Sequence, residues 1–411
     1  MKIVIIGAGP AGITVAETLC HYNFNAEIVM LSAEPYPPYS PPALAEYFLT
    51  GQELHLWRGR EYPGELKIKY HSGAAVAAVI PDKKTVRLAD GAAIPYDRLV
   101  LASGSRLFAP LEGGDNLGVY NFKSLSSAEE ILHRIRDGKA KSAVVIGAGF
   151  IGVEIGLTLS DMGVKVHQLV RSRIMRSVLD DELSLIIERI MEQRGVNILK
   201  GSDNDAVAFV GEPRVNGVKT VRGDILKADI IVAATGLKPN TDYLKGSGIE
   251  TDAGVVVDDH LRTNIYDIFA AGDVVEVPNR VTGKRDVHGN FPNAVAQGLV
   301  AAYNIMGWDV TYEGADTMNS LKHLGVPIIV AGSMGGEEIR VQQGDNIRKI
   351  YLQNNRITGF RLMGDISSAG IYRTLMNRKT NVGHFLDRLL EPGFGMGYIE
   401  AMSASPAYWQ I

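Results

Sequence analysis

Two glycine-rich segments have the spacing needed to bind the phosphates of a dinucleotide. Both fit the pattern Gly-x-Gly-x-x-Gly: the first is Gly7-Ala8-Gly9-Pro10-Ala11-Gly12 and the second is Gly147-Ala148-Gly149-Phe150-Ile151-Gly152. The glycines of this pattern permit a tight turn, a close approach of the backbone to a pyrophosphate and close packing of the next helix. The free N–H groups and the positive dipole end of that helix then face the phosphates. The sequence therefore predicts two dinucleotide-binding turns in one chain.

The residues that follow each turn indicate which ribose it accepts. Glu34, about 22 residues after Gly12, is placed to accept hydrogen bonds from a ribose diol. The corresponding place in the second segment holds Arg171, with Arg173 and Arg176 close behind it. Guanidinium groups there could pair with a 2′-phosphate, which favours NADP over NAD. A solvated basic edge is the other interpretation of these arginines, and the sequence leaves both open.

The elements around each turn follow one order, twice over: strand, turn, helix, strand. An unbroken apolar run precedes each turn, which is typical of a strand buried on both faces of a parallel sheet. An apolar-periodic helix and a second strand follow the turn. The predicted first strands are residues 3–6 and 143–146, the helices are 10–22 and 150–162, and the second strands are 27–31 and 164–170.

Other segments complete the two units and add a third. Residues 73–104 and 205–236 are strand-rich insertions that repeat one another. Residues 35–42, Pro-Tyr-Pro-Pro-Tyr-Ser-Pro-Pro, are predicted to lie outside helix and central strand, because proline fixes φ and removes the backbone donor. Such a stiff aromatic loop would cover whatever the first unit binds, a plain surface loop being the alternative.

The glycine-rich pattern stops near residue 311. Short apolar runs at 328–330 and 349–352 predict strands, and residues 368–390 are predicted to contain helix. The C-terminal segment therefore predicts a third, α+β domain.

Composition excludes several classes of protein. The chain has 411 residues, enough for two or three domains, and carries 42 Lys plus Arg against 46 Asp plus Glu, a net charge of -4. This balance gives no electrostatic reason to expect binding to nucleic acid or to an anionic membrane. No apolar run approaches the ~20 residues that span a bilayer, and the start lacks a signal peptide, so a cytoplasmic protein is expected. Cys20, the one cysteine, excludes an intramolecular disulfide, a CxxC pair and an iron-sulfur cluster held by this chain's own thiolates.

Two further segments give the chain a family resemblance. Residues 233–240, Ala-Ala-Thr-Gly-Leu-Lys-Pro-Asn, resemble the ATGxxPN segment of the FAD-dependent pyridine nucleotide-disulfide oxidoreductases, and residues 269–274, Phe-Ala-Ala-Gly-Asp-Val, resemble their second FAD signature. The resemblance implies an α/β fold with two Rossmann-type, glutathione reductase-like domains of three-layer ββα architecture and a C-terminal α+β interface domain. The implied bounds are 1–115 with 246–310 for the FAD-binding domain, 116–245 for the NAD(P)-binding domain and 311–411 for the interface domain.

The resemblance also implies which residues bind the cofactors. Asp273 would bind the ribityl chain of FAD, and the helix that opens at Pro292, Asn293 and Ala294 would aim its N-terminus at the pyrimidine end of the flavin. Glu154 would lie near the nicotinamide and help to position it, a solvated or helix-capping glutamate being the alternative. The other implied FAD contacts are Gly7, Gly9, Pro10, Ala11, Gly12, Glu34, Pro42, Val76, Ala102, Ser103, Gly104 and Gly272. The other implied NAD(H) or NADP(H) contacts are Gly147, Gly149, Phe150, Ile151, Gly152, Arg171, Thr235 and Gly236.

Several branches of this family keep a chemically active residue beside the flavin, in the loop that matches residues 39–46. In the CoA-disulfide reductase and NADH oxidase branch it is a cysteine, and here Pro42 stands at that position. Disulfide reduction and sulfenate chemistry therefore have no sulfur to use. Cys20 does not substitute, because it lies in the helix after the first turn, where a cysteine is typically a buried apolar residue. The Pro41-Pro42 pair resembles the ferredoxin and rubredoxin reductases, with Glu46 where some of them carry a lysine.

Three functions follow as expectations from this resemblance. The first is an FAD-dependent NAD(P)H oxidoreductase that exchanges electrons with an iron-sulfur protein partner, as ferredoxin and rubredoxin reductases do. The second is the NAD-linked flavin subunit of a larger iron-sulfur complex such as a 2-oxoacid dehydrogenase, of which phenylglyoxylate dehydrogenase is an example. The third is an NADH oxidase. A homo-oligomer and a hetero-complex are both open, and glycines and aromatics at 393–399 and 408–411 could dock a partner or serve ordinary packing.

Overall fold

The computed structural model describes residues 1–51, 61–108, 110, 111, 113, 114, 116–321, 324–395 and 397. Its α-helices are α1 (Pro10–His21), α2 (Leu44–Thr50), α3 (Tyr62–Glu65), α4 (Leu125–Arg136), α5 (Phe150–Asp161), α6 (Asp181–Gln193), α7 (Phe291–Ile305) and α8 (Ala369–Asn377). Its strands are β1 (Lys2–Ile6), β2 (Glu27–Leu31), β3 (Lys69–His71), β4 (Val76–Ile80), β5 (Thr85–Leu88), β6 (Ala93–Pro95), β7 (Arg98–Leu101), β8 (Ser105–Phe108), β9 (Val119–Tyr120), β10 (Ser142–Ile146), β11 (Lys165–Val170), β12 (Asn197–Lys200), β13 (Ala206–Val210), β14 (Gly217–Thr220), β15 (Ile225–Lys227), β16 (Ile230–Ala233), β17 (Gly236–Pro239), β18 (Val255–Val256), β19 (Ile268–Ala270), β20 (Val275–Pro278), β21 (Arg285–Asp286), β22 (Asn319–Leu321), β23 (Ile328–Gly332), β24 (Glu337–Gln343), β25 (Asn346–Gln353) and β26 (Arg356–Met363).

Two parallel five-stranded sheets carry the two glycine-rich turns. The first has the order β19-β7-β1-β2-β3 and the second β12-β11-β10-β16-β9. In each sheet the strand before the turn lies in the interior and pairs in parallel with a strand on either side. Ile3, Val4 and Ile5 of β1 are fully buried, as the unbroken apolar run predicts. The predicted order of strand, turn, helix and strand is confirmed in both units.

Each unit also has a small antiparallel sheet built from its insertion. Strands β4, β5 and β6 form a three-stranded meander within 73–104, and β13, β14 and β15 form its counterpart within 205–236. Parallel sheet, helices and meander are the components of the predicted ββα units, and the α/β fold class is confirmed.

The described chain divides into two compact units. The first comprises Met1–Arg173, Met191–Asn279 and Gly283–Ala315, and therefore holds both parallel sheets. The second comprises Ile174–Ile190, Arg280–Thr282 and the chain from Asp316 onward. Its antiparallel sheet has the order β22-β23-β26-β25-β24, with α8 packed on β26. The division into three domains with the bounds given above stays a prediction.

The helix expected within 368–390 is confirmed: α8 ends at Asn377, two residues before Lys379 takes a left-handed φ of 51°, and a 3₁₀ turn follows at Gly383–Phe385. One local expectation differs from the structure. The proline loop is free of helix only as far as Ser40, because Pro41 and Pro42 begin a single 3₁₀ turn that leads into α2. Proline is tolerated at such a first turn, where its missing N–H costs no hydrogen bond.

The described ranges contain no helix with both the length and the apolar character needed to cross a bilayer.

Candidate dinucleotide-binding sites

The first glycine-rich turn combines two tightly packed glycines with an open one. A Cβ on Gly7, whose φ is 111°, would lie 2.1 Å from the carbonyl oxygen of Ala102, and a Cβ on Gly12 would lie 2.0 Å from the carbonyl oxygen of Gly7. The Cβ position of Gly9 has no atom within 4 Å, and no side chain caps the helix that starts at Pro10. The turn thus leaves space in front of the N-terminus of α1, as a bound phosphate requires.

Three segments far apart in sequence meet at this turn. The Cβ position of Gly272, whose φ is 86°, lies 3.0 Å from the Cβ of Ala11 and 3.8 Å from the Cβ of Ala294. Helices α1 and α7 also touch, since a Cβ on Gly298 would lie 2.7 Å from the carbonyl oxygen of Ala11. The side chain of Asn290 caps α7 by accepting a hydrogen bond from the Asn293 N–H at 2.8 Å. The N-termini of α1 and α7 and the turn before Asp273 therefore share one site.

Asp273 lies in a polar cluster within this site. Its Oδ2 accepts hydrogen bonds from Lys123 Nζ at 2.6 Å and from Ser105 Oγ at 3.0 Å. Lys123 Nζ also lies 2.7 Å from Ser105 Oγ. No sequence motif pointed to Lys123 or Ser105, because they come from different segments and each is a lone polar residue. The lysine brings a positive charge to a site that suits a cofactor with two phosphates.

Glu34 follows β2 as predicted, and protein donors surround its carboxylate. Oε1 accepts hydrogen bonds from the N–H and Oγ of Ser126 at 2.9 and 2.8 Å, and Oε2 accepts one from the Tyr39 hydroxyl. Burial and the neighbouring Glu34 carboxylate raise the pKa of Tyr39 far above its usual value, so its hydroxyl stays a donor. The loop with Tyr39 is thereby tied to the end of β2. The ribose contact of Glu34 stays a prediction.

Other residues predicted to contact FAD lie in the turn after β7 and on β4. Ala102 is buried beside Gly7, and Ser103 and Asn240 bind each other through Ser103 Oγ to the Asn240 carbonyl at 2.9 Å and Asn240 Nδ2 to the Ser103 carbonyl at 2.8 Å. Gly104, with a φ of 65°, leads into β8, which pairs with β17. The ATGxxPN segment is thus joined directly to the Ala102–Gly104 turn. Val76 lies half-buried at the start of β4.

The second turn repeats the geometry of the first. A Cβ on Gly147, whose φ is 99°, would lie 2.4 Å from the carbonyl oxygen of Ala234, and a Cβ on Gly152 would lie 2.4 Å from the carbonyl oxygen of Gly147. Gly149 again has open space at its Cβ position, directly before the N-terminus of α5. The next residue after Ala234, Thr235, donates from Oγ1 to the Phe108 carbonyl at 2.6 Å and leads into β17 at Gly236. Phe150 and Ile151 form the first turn of α5. This turn fits a second dinucleotide.

The arginine at the end of β11 is paired with an acid. Arg171 Nε lies 2.7 Å from Asp205 Oδ2, and 64% of the arginine side chain is exposed. Arg173 is half-buried in the first compact unit, whereas Arg176 belongs to the second. The preference between NAD and NADP stays open, and a 2′-phosphate contact of Arg171 stays a prediction.

The loop with Pro42 leads into a helix that packs against the helix after the second glycine-rich turn. Helix α2 contacts both α4 and α5, and Glu154 lies half-buried on α5. Pro42 and Glu46 are exposed. The role of Glu154 at a nicotinamide and the contact of Pro42 with a cofactor stay predictions.

Cys20 lies away from this loop, near the C-terminal end of α1. Its thiol donates to the Leu66 carbonyl at 3.4 Å, and burial, reinforced by Glu17, raises the pKa of that thiol. At a rise of 1.5 Å per residue, roughly 15 Å of helix separates it from the first glycine turn. It is a half-buried cysteine whose raised pKa disfavours the reactive thiolate.

Known proteins resemble this chain in sequence. Residues 1–298 match the model of the family described as pyridine nucleotide-disulphide oxidoreductase. The chain is 28% identical to the epsilon subunit of the NADH-dependent phenylglyoxylate dehydrogenase of Aromatoleum evansii, over 96% of each chain. It is 33% identical to a probable ferredoxin reductase of Castellaniella defragrans, over 74% of this chain and 76% of the relative. It is 27% identical to an NADH oxidase of Methanocaldococcus jannaschii, over 89% of this chain and 88% of the relative.

Solved structures share the fold. The NADH:rubredoxin oxidoreductase of Clostridium acetobutylicum superposes with a TM-score of 0.75 at 25% identity, covering 93% of this chain and 96% of that one. A chain of the covalent complex of putidaredoxin reductase and putidaredoxin superposes with a TM-score of 0.85 at 24% identity, covering 98% and 99%. The chain therefore belongs to the pyridine nucleotide-disulphide oxidoreductase family and is an FAD-dependent NAD(P)H oxidoreductase.

Proposed function

We propose that this enzyme passes electrons between NAD(P)H and an iron-sulfur protein partner. The proposal rests on the position of the one cysteine of the chain. The loop that holds the redox cysteine in disulfide-reducing members holds Pro42, and Cys20 is packed against the Leu66 carbonyl at the other end of α1. With no thiol of its own at the site, the chain needs an external acceptor. Relatives named rhodocoxin reductase and NADH-rubredoxin oxidoreductase support a small electron carrier in that role.

The residues described above divide the work between binding and positioning. FAD, when bound, supplies the conversion between hydride transfer and one-electron transfer. The N-termini of α1 and α7 offer their positive dipole ends to phosphate and to flavin charge, and no side chain caps α1. Lys123 and Asp273 form an ion pair at the same site. Proximity is the main requirement, since donor and acceptor atoms must be held about 3 to 3.5 Å apart.

A flavin subunit within a larger iron-sulfur complex is the second candidate. It is favoured by the phenylglyoxylate dehydrogenase epsilon subunit, which this chain matches over 96% of both lengths. In such a complex the partner is a permanent neighbour rather than a diffusing carrier. The NADH oxidase activity named for one relative is the third candidate, and it requires only oxygen as acceptor.

Turnover with defined acceptors tests the proposal. We expect the FAD-loaded protein to oxidise NADH or NADPH at least about tenfold faster with a ferredoxin or rubredoxin than with oxygen alone. Rapid turnover with oxygen alone would support the oxidase and contradict the proposal. Stoichiometric purification with iron-sulfur subunits from the source organism would favour the complex over the stand-alone reductase.

A Cys20→Ser variant is the matched control for the absence of thiol chemistry. We expect its rate to equal that of the wild type, because the thiol lies outside the flavin site. A large loss of rate with FAD still bound would show that sulfur takes part in the reaction.

A further inference from the structure

Gln168 lies beneath the second glycine-rich turn and donates hydrogen bonds to it. The residue is fully buried on β11. Its Nε2 donates to the carbonyl oxygen of Gly147 at 2.5 Å and to that of Gly152 at 3.2 Å. These are the first and last glycines of the turn, so one amide ties both of its ends together.

The first turn has a different residue at this place. In the two parallel sheets, Val145 lies opposite Gln168 just as Ile5 lies opposite Met30. Met30 is equally buried, but a thioether has no N–H to donate. Burying an amide in an apolar strand costs free energy that a methionine does not. Packing alone therefore does not account for a glutamine here.

Gly156 makes the room that Gln168 needs. A Cβ at Gly156 would lie 2.3 Å from Gln168 Oε1, an atom without a hydrogen-bond partner among the described residues. The residue in the corresponding place after the first glycine-rich turn is Ala16, which is fully buried in α1. A glycine inside a helix is unfavourable relative to alanine, so its presence in α5 indicates that the space is used. Gln168 and Gly156 thus differ together from Met30 and Ala16.

We propose that Gln168 is a positioning residue that holds the turn from Gly147 to Gly152 ready for the phosphates of the nicotinamide dinucleotide, and that Gly156 admits its side chain. A turn rich in glycine has the most backbone freedom to lose when a ligand binds. A bond that fixes the turn beforehand lowers that cost and strengthens binding. The inference rests on NAD(P)H binding at this turn, as the proposed function requires.

Gln168→Met tests the inference by placing beneath the second glycine-rich turn the residue type that Met30 provides beneath the first. The probe is NADH or NADPH, whichever the wild type prefers, titrated calorimetrically into FAD-loaded protein and also used in rapid flavin reduction. We expect the Kd to rise roughly three- to tenfold, the ordinary worth of one hydrogen bond, while the limiting reduction rate changes by less than about twofold. The FAD content and absorbance should equal those of the wild type, because the first turn is untouched.

Gly156→Ala gives an independent second test. Alone, it should weaken NAD(P)H binding, because the new Cβ displaces the Gln168 amide. In the Gln168→Met background it should have no further effect, because that pair reproduces Met30 and Ala16. An unchanged Kd in either single variant, or equal losses from Gly156→Ala in both backgrounds, would overturn the inference. A lower melting temperature with an unchanged Kd would also overturn it, by showing a purely structural role.

Failure of the proposed function would look different. Wild-type protein that neither NADH nor NADPH reduces would refute the electron-transfer proposal itself. If Gln168→Met does not yield FAD-loaded protein, the Kd of Gly156→Ala decides the question.

Discussion

Lys123 Nζ lies 2.6 Å from Asp273 Oδ2, across 150 residues of sequence, and both side chains keep less than a fifth of their exposure. The lysine comes from the segment before α4 and the aspartate from the turn after β19. The pair therefore links two distant segments at the site where α1 and α7 begin. An ion pair of this kind contributes more than a surface pair, because water screens it less.

Lys123→Met is expected to destabilise the protein and weaken its hold on FAD. It leaves Asp273 without its cation, which should lower the free energy of unfolding by roughly 1–3 kcal/mol, less than for a fully buried pair. Urea unfolding and flavin release measure the two effects. Lys123→Met combined with Asp273→Asn should regain part of the stability. No recovery in the double variant would contradict a direct pairwise role.

Gly9→Val and Gly149→Val form a matched pair that separates the two dinucleotides. Both Cβ positions face open space, so neither variant should disturb the fold. Gly9→Val is expected to lower FAD content roughly tenfold or more, because the side chain fills the phosphate position. Gly149→Val should keep its yellow absorbance and lose reduction by NAD(P)H. Normal flavin content in Gly9→Val would refute FAD binding at the first turn.

Arg171→Ala tests the 2′-phosphate contact. If the guanidinium leaves Asp205 for a phosphate, the variant should lose about tenfold in kcat/KM with NADPH and little with NADH, since a charge-assisted hydrogen bond is lost for one nucleotide only. Steady-state kinetics with both nucleotides measures this. Equal changes with both would assign Arg171 to the solvated edge.

The second compact unit should be sensitive to acid through Asp180. Lys349 Nζ, buried on β25, lies 2.5 Å from Asp180 Oδ2 and 2.8 Å from Glu182 Oε2. Burial alone would raise the pKa of Asp180, but hydrogen bonds from the Leu183 N–H and from Lys349 hold that pKa below its usual value. A carboxyl with a lowered folded-state pKa stabilises the fold above its unfolded pKa of about 3.9, and this contribution disappears as pH falls through the folded value.

Lys349→Met should flatten that acid dependence and lower stability at neutral pH by roughly 1–3 kcal/mol, because two carboxylates lose their cation. Urea unfolding at several pH values between about 2 and 7 measures both effects. Lys349→Arg is the control and should retain most of the stability. An acid dependence as steep as in the wild type would show that other groups cause it.

Local sequence patterns predicted the backbone of the site but few of its side-chain partners. The glycine turns and the strands before them were predictable because sterics at Gly7 and Gly147 and burial of whole apolar strands are local properties. The ends of α8 and the 3₁₀ turn at Pro41 depend on single-residue φ values, which patterns do not resolve. Lys123, Ser126 and Gln168 escaped prediction because each acts through a contact with a residue distant in sequence.

The glycines and aromatics of the C-terminal segment were expected either to dock a partner or to pack. Phe394 is 3% exposed and stacks on Tyr372 at a ring separation of 6.1 Å, so it packs in the core of the second compact unit. The aromatic residues Tyr408 and Trp409 lie outside the described residues. For Phe394 the structure therefore supports ordinary packing, and docking by the rest of the segment stays a prediction.

The close contact between Ala11 on α1 and Gly298 on α7 limits how this protein can be dissected. Because Gly298 has no side chain, the backbones of α1 and α7 approach closely there, and each helix covers part of the surface of the other. An amino-terminal fragment that stops before α7 would expose the surface of α1 that packs on α7 and would lose one of the two helix N-termini that meet at the first glycine-rich turn. A chimaera that exchanges the segment with the first glycine-rich turn must therefore take α1 and α7 from the same parent protein.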